Sequence, residues 1–140
     1  MKYTKSSRYA LYAAMQMAMA TEPVTVTQVS ALYAIPRGAL AKVFQDLVRA
    51  GLALGARGVG GGYRLARPAT AITVLDIITI FDPPRAEGAC LLNDSGAPSC
   101  EDLLDCRLRR LFDEVDELAR CTFASVTLET LVGKPAVPAE

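Results

Sequence analysis

Four glycines crowd into five residues at Gly58 and Gly60–Gly62, directly after Arg57 and ahead of Tyr63-Arg64-Leu65-Ala66-Arg67-Pro68. Glycines in this density read either as a phosphate-cradling loop or as the tip of a hairpin. The phosphate-loop reading fails, because neither G-x-x-x-x-G-K-[ST] nor G-x-G-x-x-G is present and no helix opens after the glycines. The hairpin reading holds, since glycine tolerates positive φ at a tight tip and lets the backbone approach a partner closely. Leu52–Gly55 and Gly62–Ala66 are then two short strands, with Arg57 on the tip between them.

Upstream of this hairpin the pattern is helical. The spacing predicts a first helix over 6–20 with Leu11, Ala14, Met15 and Ala18 as its apolar stripe. A second helix follows a cap at Thr25 and runs to Tyr33. A tight connection through Ile35 and Pro36 leads into a third, whose stripe is Leu40, Val43, Phe44, Leu47 and Val48 and whose stop is Gly51. Two helices joined by a short turn and followed by a basic hairpin make a winged helix-turn-helix. Downstream, Thr73 and Asp76 form a capping-box pair for a fourth helix. Residues 82–99 carry prolines and glycines without periodicity and read as a long loop. From Cys100 to about Thr122 a long helix repeats Leu104, Leu108, Leu111, Val115, Leu118 and Thr122 at alternating spacings of four and three, a seam suited to a second copy. A short helical turn and a tail end the chain.

The fold expected is therefore mainly α: a winged-helix DNA-binding domain over 1–81 with a small β-hairpin wing, a cysteine-bearing loop over 82–99, a dimerisation helix and short terminal helix over 100–132, and a tail over 133–140. The 140 residues are 51% apolar, enough for one core. Lys2, Lys5 and Arg8 ahead of an Ala- and Met-rich stretch imitate a secretion signal. That stretch is interrupted by Gln16 and follows helical spacing, so a cytoplasmic protein is expected.

Formal charge sums to zero but divides unevenly. Residues 1–68 hold nine Lys or Arg against two acids, a net +7, and residues 69–140 carry the compensating −7. A basic front half points to a polyanion partner, and the winged helix makes that partner double-stranded DNA. The third helix would lay Gly38, Ala39, Ala41, Lys42, Gln45 and Arg49 outward with Arg37 at its start. Small residues there let a helix sit deep in a major groove, where Arg37 and Lys42 meet guanine edges or phosphates. Arg57 suits an adjacent minor groove, and Lys2, Lys5 and Arg8 suit the phosphate backbone. Two-fold symmetric recognition helices would require a pseudo-palindromic operator. An enzyme is disfavoured, because the chain has no histidine and no nucleophile–base pair in sequence context.

Cys90, Cys100 and Cys106 fall within seventeen residues, and Cys121 stands apart as an expected core thiol. Spacings of nine and five intervening residues are unlike the tight knuckles of structural zinc, and disulfides are disfavoured in a reducing cytoplasm except as switches. A thiol switch and a soft iron–sulfur cluster both remain open on these residues.

Several segments together, Arg8–Ala18, Arg57–Pro68, Ile72–Asp82 and the spaced cysteines, resemble the winged-helix regulators typified by IscR and NsrR over about 1–132. The resemblance implies a homodimeric bacterial transcription factor, often a repressor, whose DNA binding responds to an iron–sulfur cluster of the 4Fe-4S or 2Fe-2S type. It assigns Cys90, Cys100 and Cys106 as ligands, and Arg8, the start of the third helix and Arg57–Gly58 as the DNA-facing groups. Two positions depart from the pattern: Arg109 stands where IscR-like chains place a ligating histidine, and Arg8 where NsrR-like chains place a carboxylate.

Overall fold

A computed structural model describes residues 3–84, 91 and 106–133. In chain order these form α1 (Lys5–Met19), α2 (Val26–Tyr33), α3 (Arg37–Arg49), β1 (Ala53–Ala56), β2 (Gly62–Leu65), α4 (Val74–Phe81), α5 (Arg107–Ala124) and α6 (Leu128–Val132), with one 3-10 turn at Ala69–Ala71. Lys2, Cys90, Cys100, Leu104, most of the expected loop over 82–99 and residues 134–140 of the expected tail lie outside the described residues.

α1 opens on Thr4, whose hydroxyl accepts from the Ser7 N–H. Its buried face is Ser7, Ala10, Ala13, Ala14 and Met17. The expected stripe of Leu11, Ala14, Met15 and Ala18 is thus rotated. Alanines take the centre because small side chains let α3, α4 and α6 approach the helix backbone, while Leu11 and Ala18 pack at the flank.

α2 begins with the expected cap at Thr25, in a full capping box. The Gln28 N–H donates to Thr25 Oγ1 at 3.1 Å and the Thr25 N–H to Gln28 Oε1 at 2.9 Å. It ends at Ala34 in the left-handed conformation, φ 54°, which turns the chain abruptly toward α3. Ser30 Oγ donates to the Ile35 carbonyl at 2.6 Å and pins that turn, and the Ile35 side chain is buried. Pro36 serves as the N-cap of α3, where its missing N–H leaves no donor orphaned.

α3 buries Leu40, Val43, Phe44 and Leu47. Val48 was expected in that stripe but is exposed, because at about 100° per residue it lies past the stripe's edge. Gly51 ends the region at φ +79°. An added Cβ there would meet nothing within 4 Å, so the backbone angle alone calls for glycine. β1 and β2 pair antiparallel with Ala53 opposite Leu65 and Ala56 opposite Gly62, within a residue of the expected strands.

α4 carries the expected Thr73–Asp76 capping box, at 2.9 and 3.1 Å. α6 returns to the same core: the Leu128 N–H donates to the Ile72 carbonyl, the Val74 N–H to the Val126 carbonyl, and Leu128 is fully buried. The end of α4 is fastened to the start of α1 by one buried carboxylate. Asp82 Oδ2 accepts from the Thr4 N–H at 3.0 Å, from Thr4 Oγ1 at 3.0 Å and from Ser7 Oγ.

The expected start of the long helix, residues 100–105, lies outside the described residues. Among described residues the helix begins at Arg107, with Cys106 as its N-cap in an extended conformation. No side chain of α5 is buried, and its C-terminal end touches the head through an edge-to-face contact of Tyr3 and Phe123 at 5.7 Å.

Candidate nucleic-acid interface

Four hydrophobic anchors hold α3 in the core and so fix which residues it turns outward. Arg37, Gly38, Ala39, Lys42, Gln45 and Arg49 are exposed, and Ala41 is half-buried at the margin. Gly38 has open space where a Cβ would stand, so packing within the chain does not call for its small size. A surface that omits side chains without internal reason is one that an outside body can approach closely. Arg49 pairs with Asp46 at 3.2 Å, which engages it within its own helix, and Arg37 and Lys42 are the cations nearest the helix start. Lys5 and Arg8 lie exposed on the first turns of α1.

The wing is braced from two sides. The Tyr63 ring stacks on Phe44 with centroids 4.4 Å apart and planes 14° from parallel, joining β2 to the buried side of α3. The Tyr63 backbone exchanges two hydrogen bonds with Val24, at 2.7 and 2.8 Å, which adds the α1–α2 connection as a third bridge to the hairpin. Gly62 permits this approach: a Cβ there would sit 2.6 Å from the Val24 carbonyl oxygen. Gly61 is equally constrained, by the Ala56 carbonyl oxygen at 2.6 Å. Gly58 adopts φ +92°, and Arg57 beside it is exposed. The brace from Tyr63 to Val24 joins residues far apart in sequence and leaves no local signature in it.

The long helix presents an apolar face to solvent. Leu108, Leu111, Phe112, Val115 and Leu118 are between 45% and 70% exposed, in the expected heptad-like register with Phe112 added. Arg109, Asp113, Asp116, Ala119 and Phe123 form a less exposed line along the same helix.

Among the cysteines, Cys106 is half-buried at the head of α5, and its side chain makes no capping hydrogen bond. Cys121 was expected as a core thiol but is exposed, because the last turns of α5 stand clear of the head on that side. Its thiol donates to Glu117 Oε1 at 3.5 Å. Hydrogen bonds from Arg120 hold the Glu117 carboxyl below the usual carboxylate range, outweighing a smaller desolvation, and the same pair raises Arg120 further. Among the described residues no three His, Cys, Asp or Glu side chains gather to hold a metal. No helix among them is long and apolar enough to cross a membrane.

Known proteins share this arrangement. The family model described as Rrf2, iron-dependent transcriptional regulator, matches residues 3–134. The chain is 32% identical over 133 residues to BadM of Rhodopseudomonas palustris, covering 94% of this chain and 81% of BadM. It is 30% identical over 134 residues to the HTH-type transcriptional regulator IscR of Xenorhabdus nematophila, covering 94% of this chain and 79% of that one. The fold is similar to that of CymR, the global cysteine regulator of Bacillus subtilis, with a TM-score of 0.75 and 25% identity across 94% of this chain and 96% of CymR. A winged helix-turn-helix with these relatives is a regulator of transcription rather than an enzyme, and the chain belongs to the Rrf2 family.

Proposed function

We propose that this Rrf2-family regulator is a cytoplasmic homodimeric repressor that grips a pseudo-palindromic operator and releases or retains it according to an iron–sulfur cluster. The observation that carries the DNA reading is the wing, braced on the recognition helix α3 by the Phe44–Tyr63 stack and bearing Arg57 at its tip. In this reading α3 lies in the major groove, with Arg37 and Lys42 toward base edges or phosphates and Gly38 and Ala39 allowing close approach. Arg57 and Gly58 follow the adjacent minor groove, while Lys2, Lys5 and Arg8 neutralise phosphates. The division into a DNA-binding head over 1–81, a sensor loop over 82–99 and a dimerisation segment over 100–132 follows from the same reading. The exposed apolar face of α5 supports the dimer, with Leu104, Leu108, Leu111, Val115 and Leu118 as its seam.

Cys90, Cys100 and Cys106 would hold the cluster, of the 4Fe-4S or 2Fe-2S type. The donor set suits it: three soft thiolates, of which the described Cys106 is uncommitted to capping its own helix. Such a cluster supplies a group that oxidants, nitric oxide or iron shortage alter. Arg8 and Arg109 are both cationic, which leaves the remaining ligand position to a carboxylate or an exogenous group. The family's description as iron-dependent supports the same assignment. A second reading, a cluster-free thiol switch, draws on Cys106 and Cys121 as free, solvent-reachable thiols.

Anaerobic purification with iron and acid-labile sulfide analysis separates the two. Wild type and Cys121→Ala should carry both elements, and Cys90→Ala, Cys100→Ala and Cys106→Ala should each lose most of them. Absence of iron and sulfide from reconstituted wild type would transfer the assignment to the thiol switch.

A further inference from the structure

The turn joining β1 to β2 has an unusual surface. The Gly61 N–H donates to the Gly58 carbonyl at 2.9 Å, so residues 58–61 close a four-residue turn. Gly60 at φ +79° takes the third position, where a type II turn needs a left-handed angle. Gly58, Gly60 and Gly61 have no side chains, so the apex carries one alone: Val59, fully exposed. A single exposed apolar residue is ordinary on a protein surface. This one is different because its surroundings are bare backbone, held in place by the close contacts of Gly61 and Gly62 and by the Tyr63 brace. The isopropyl group contributes nothing to the core, and a polar residue would serve the turn equally well.

We infer that Val59 is a specificity-determining residue that reads the floor of the minor groove and rejects guanine there; the inference rests on the DNA-binding reading above. A ridge of glycine backbone is thin enough for a groove about 6 Å wide, and neighbouring Arg57 matches its negative potential. At an A·T pair the floor shows only acceptors and the apolar adenine C2–H, against which a methyl group packs. At a G·C pair the guanine N2 amino group rises from the floor. Valine offers it no acceptor, so the amino group loses water without replacement. β-branching stiffens the side chain, so it does not swing clear without cost.

The test uses duplexes enriched from a random pool by the full-length protein. At each base pair flanking the major-groove half-sites, A·T is replaced by G·C and by inosine·C. Inosine keeps the major-groove edge of guanine and lacks its N2 amino group. At the wing position, wild type should bind A·T and inosine·C alike and G·C roughly tenfold more weakly. Val59→Asn supplies an acceptor for the amino group and should bring G·C to within about twofold of A·T, while Val59→Ala should fall between. If wild type binds its duplex but discriminates nowhere beside the half-sites, or Val59→Asn discriminates as wild type does, the inference is wrong and the DNA-binding reading stands. Discrimination abolished by Arg57→Ala yet kept in Val59→Asn assigns the readout to the arginine and also overturns the inference. A protein that enriches no duplex at all overturns the DNA-binding reading, and this inference with it.

Discussion

Replacing Asp82 by alanine should loosen the joint between the end of α4 and the start of α1. The Asp82 carboxylate accepts from the Thr4 N–H and hydroxyl at 3.0 Å each and from the Ser7 hydroxyl. The losses differ in kind. Thr4 is exposed, so water takes up its two donors and the cost there is close to that of a lost helix cap, about 1 kcal/mol. Ser7 is 1% exposed, and water does not reach the hydroxyl left behind. An unsatisfied buried hydroxyl costs about 1–3 kcal/mol, which brings Asp82→Ala to roughly 2–4 kcal/mol. Urea unfolding at fixed protein concentration measures the change, because association makes apparent stability concentration-dependent. The double-mutant cycle with Ser7→Ala sharpens the test. With Ser7 already removed, Asp82→Ala should cost about 1–3 kcal/mol less than it does in wild type. Additive effects, or a single-variant change below about 0.5 kcal/mol, would refute a buried joint between these residues.

Three further outcomes are expected. Tyr63→Ala removes the stack on Phe44 at 4.4 Å. It should destabilise the head by about 3 kcal/mol in denaturant titration and weaken specific DNA binding more than non-specific binding, because the wing loses one of its two braces and keeps only the backbone pairing with Val24. Leu111→Glu with Leu118→Glu places charges in the exposed seam of α5 and should leave a folded monomer by sedimentation; an unchanged dimer would locate the interface elsewhere. Lys5→Ala should weaken binding to all duplexes similarly and flatten the salt dependence by about one unit or less, whereas Arg57→Ala should reduce the preference for the selected site. Affinity independent of salt would contradict both.

What the sequence disclosed follows from how local each feature is. Capping boxes at Thr25 and Thr73 span four residues, so the starts of α2 and α4 were readable as written. The wing was readable because its glycines permit little else. The stripe of α1 misled because apolar size suggested Leu11 and Met15, whereas helix packing selected the smaller Ala10 and Ala13. The contacts that assemble the head, Asp82 with Ser7 and Tyr63 with Val24, join residues with no sequence proximity and carry no periodic signal. Cys121 misled for a related reason. It stands one turn from Leu118, at the edge of an apolar face that lies open to solvent in the single chain, and Glu117 and Arg120 are beside its thiol.

That the state of a cysteine-held cluster sets operator affinity is the core of the proposed function. Its most direct test is a titration of one enriched duplex, at one salt concentration, with anaerobically reconstituted protein and with the same protein after its cluster is removed. Affinities should differ by about tenfold or more, a coupling of roughly 1.4 kcal/mol or above, and no such difference should appear in Cys106→Ala. Equal affinities in the two states, with the cluster shown present in the first and absent in the second, would contradict it.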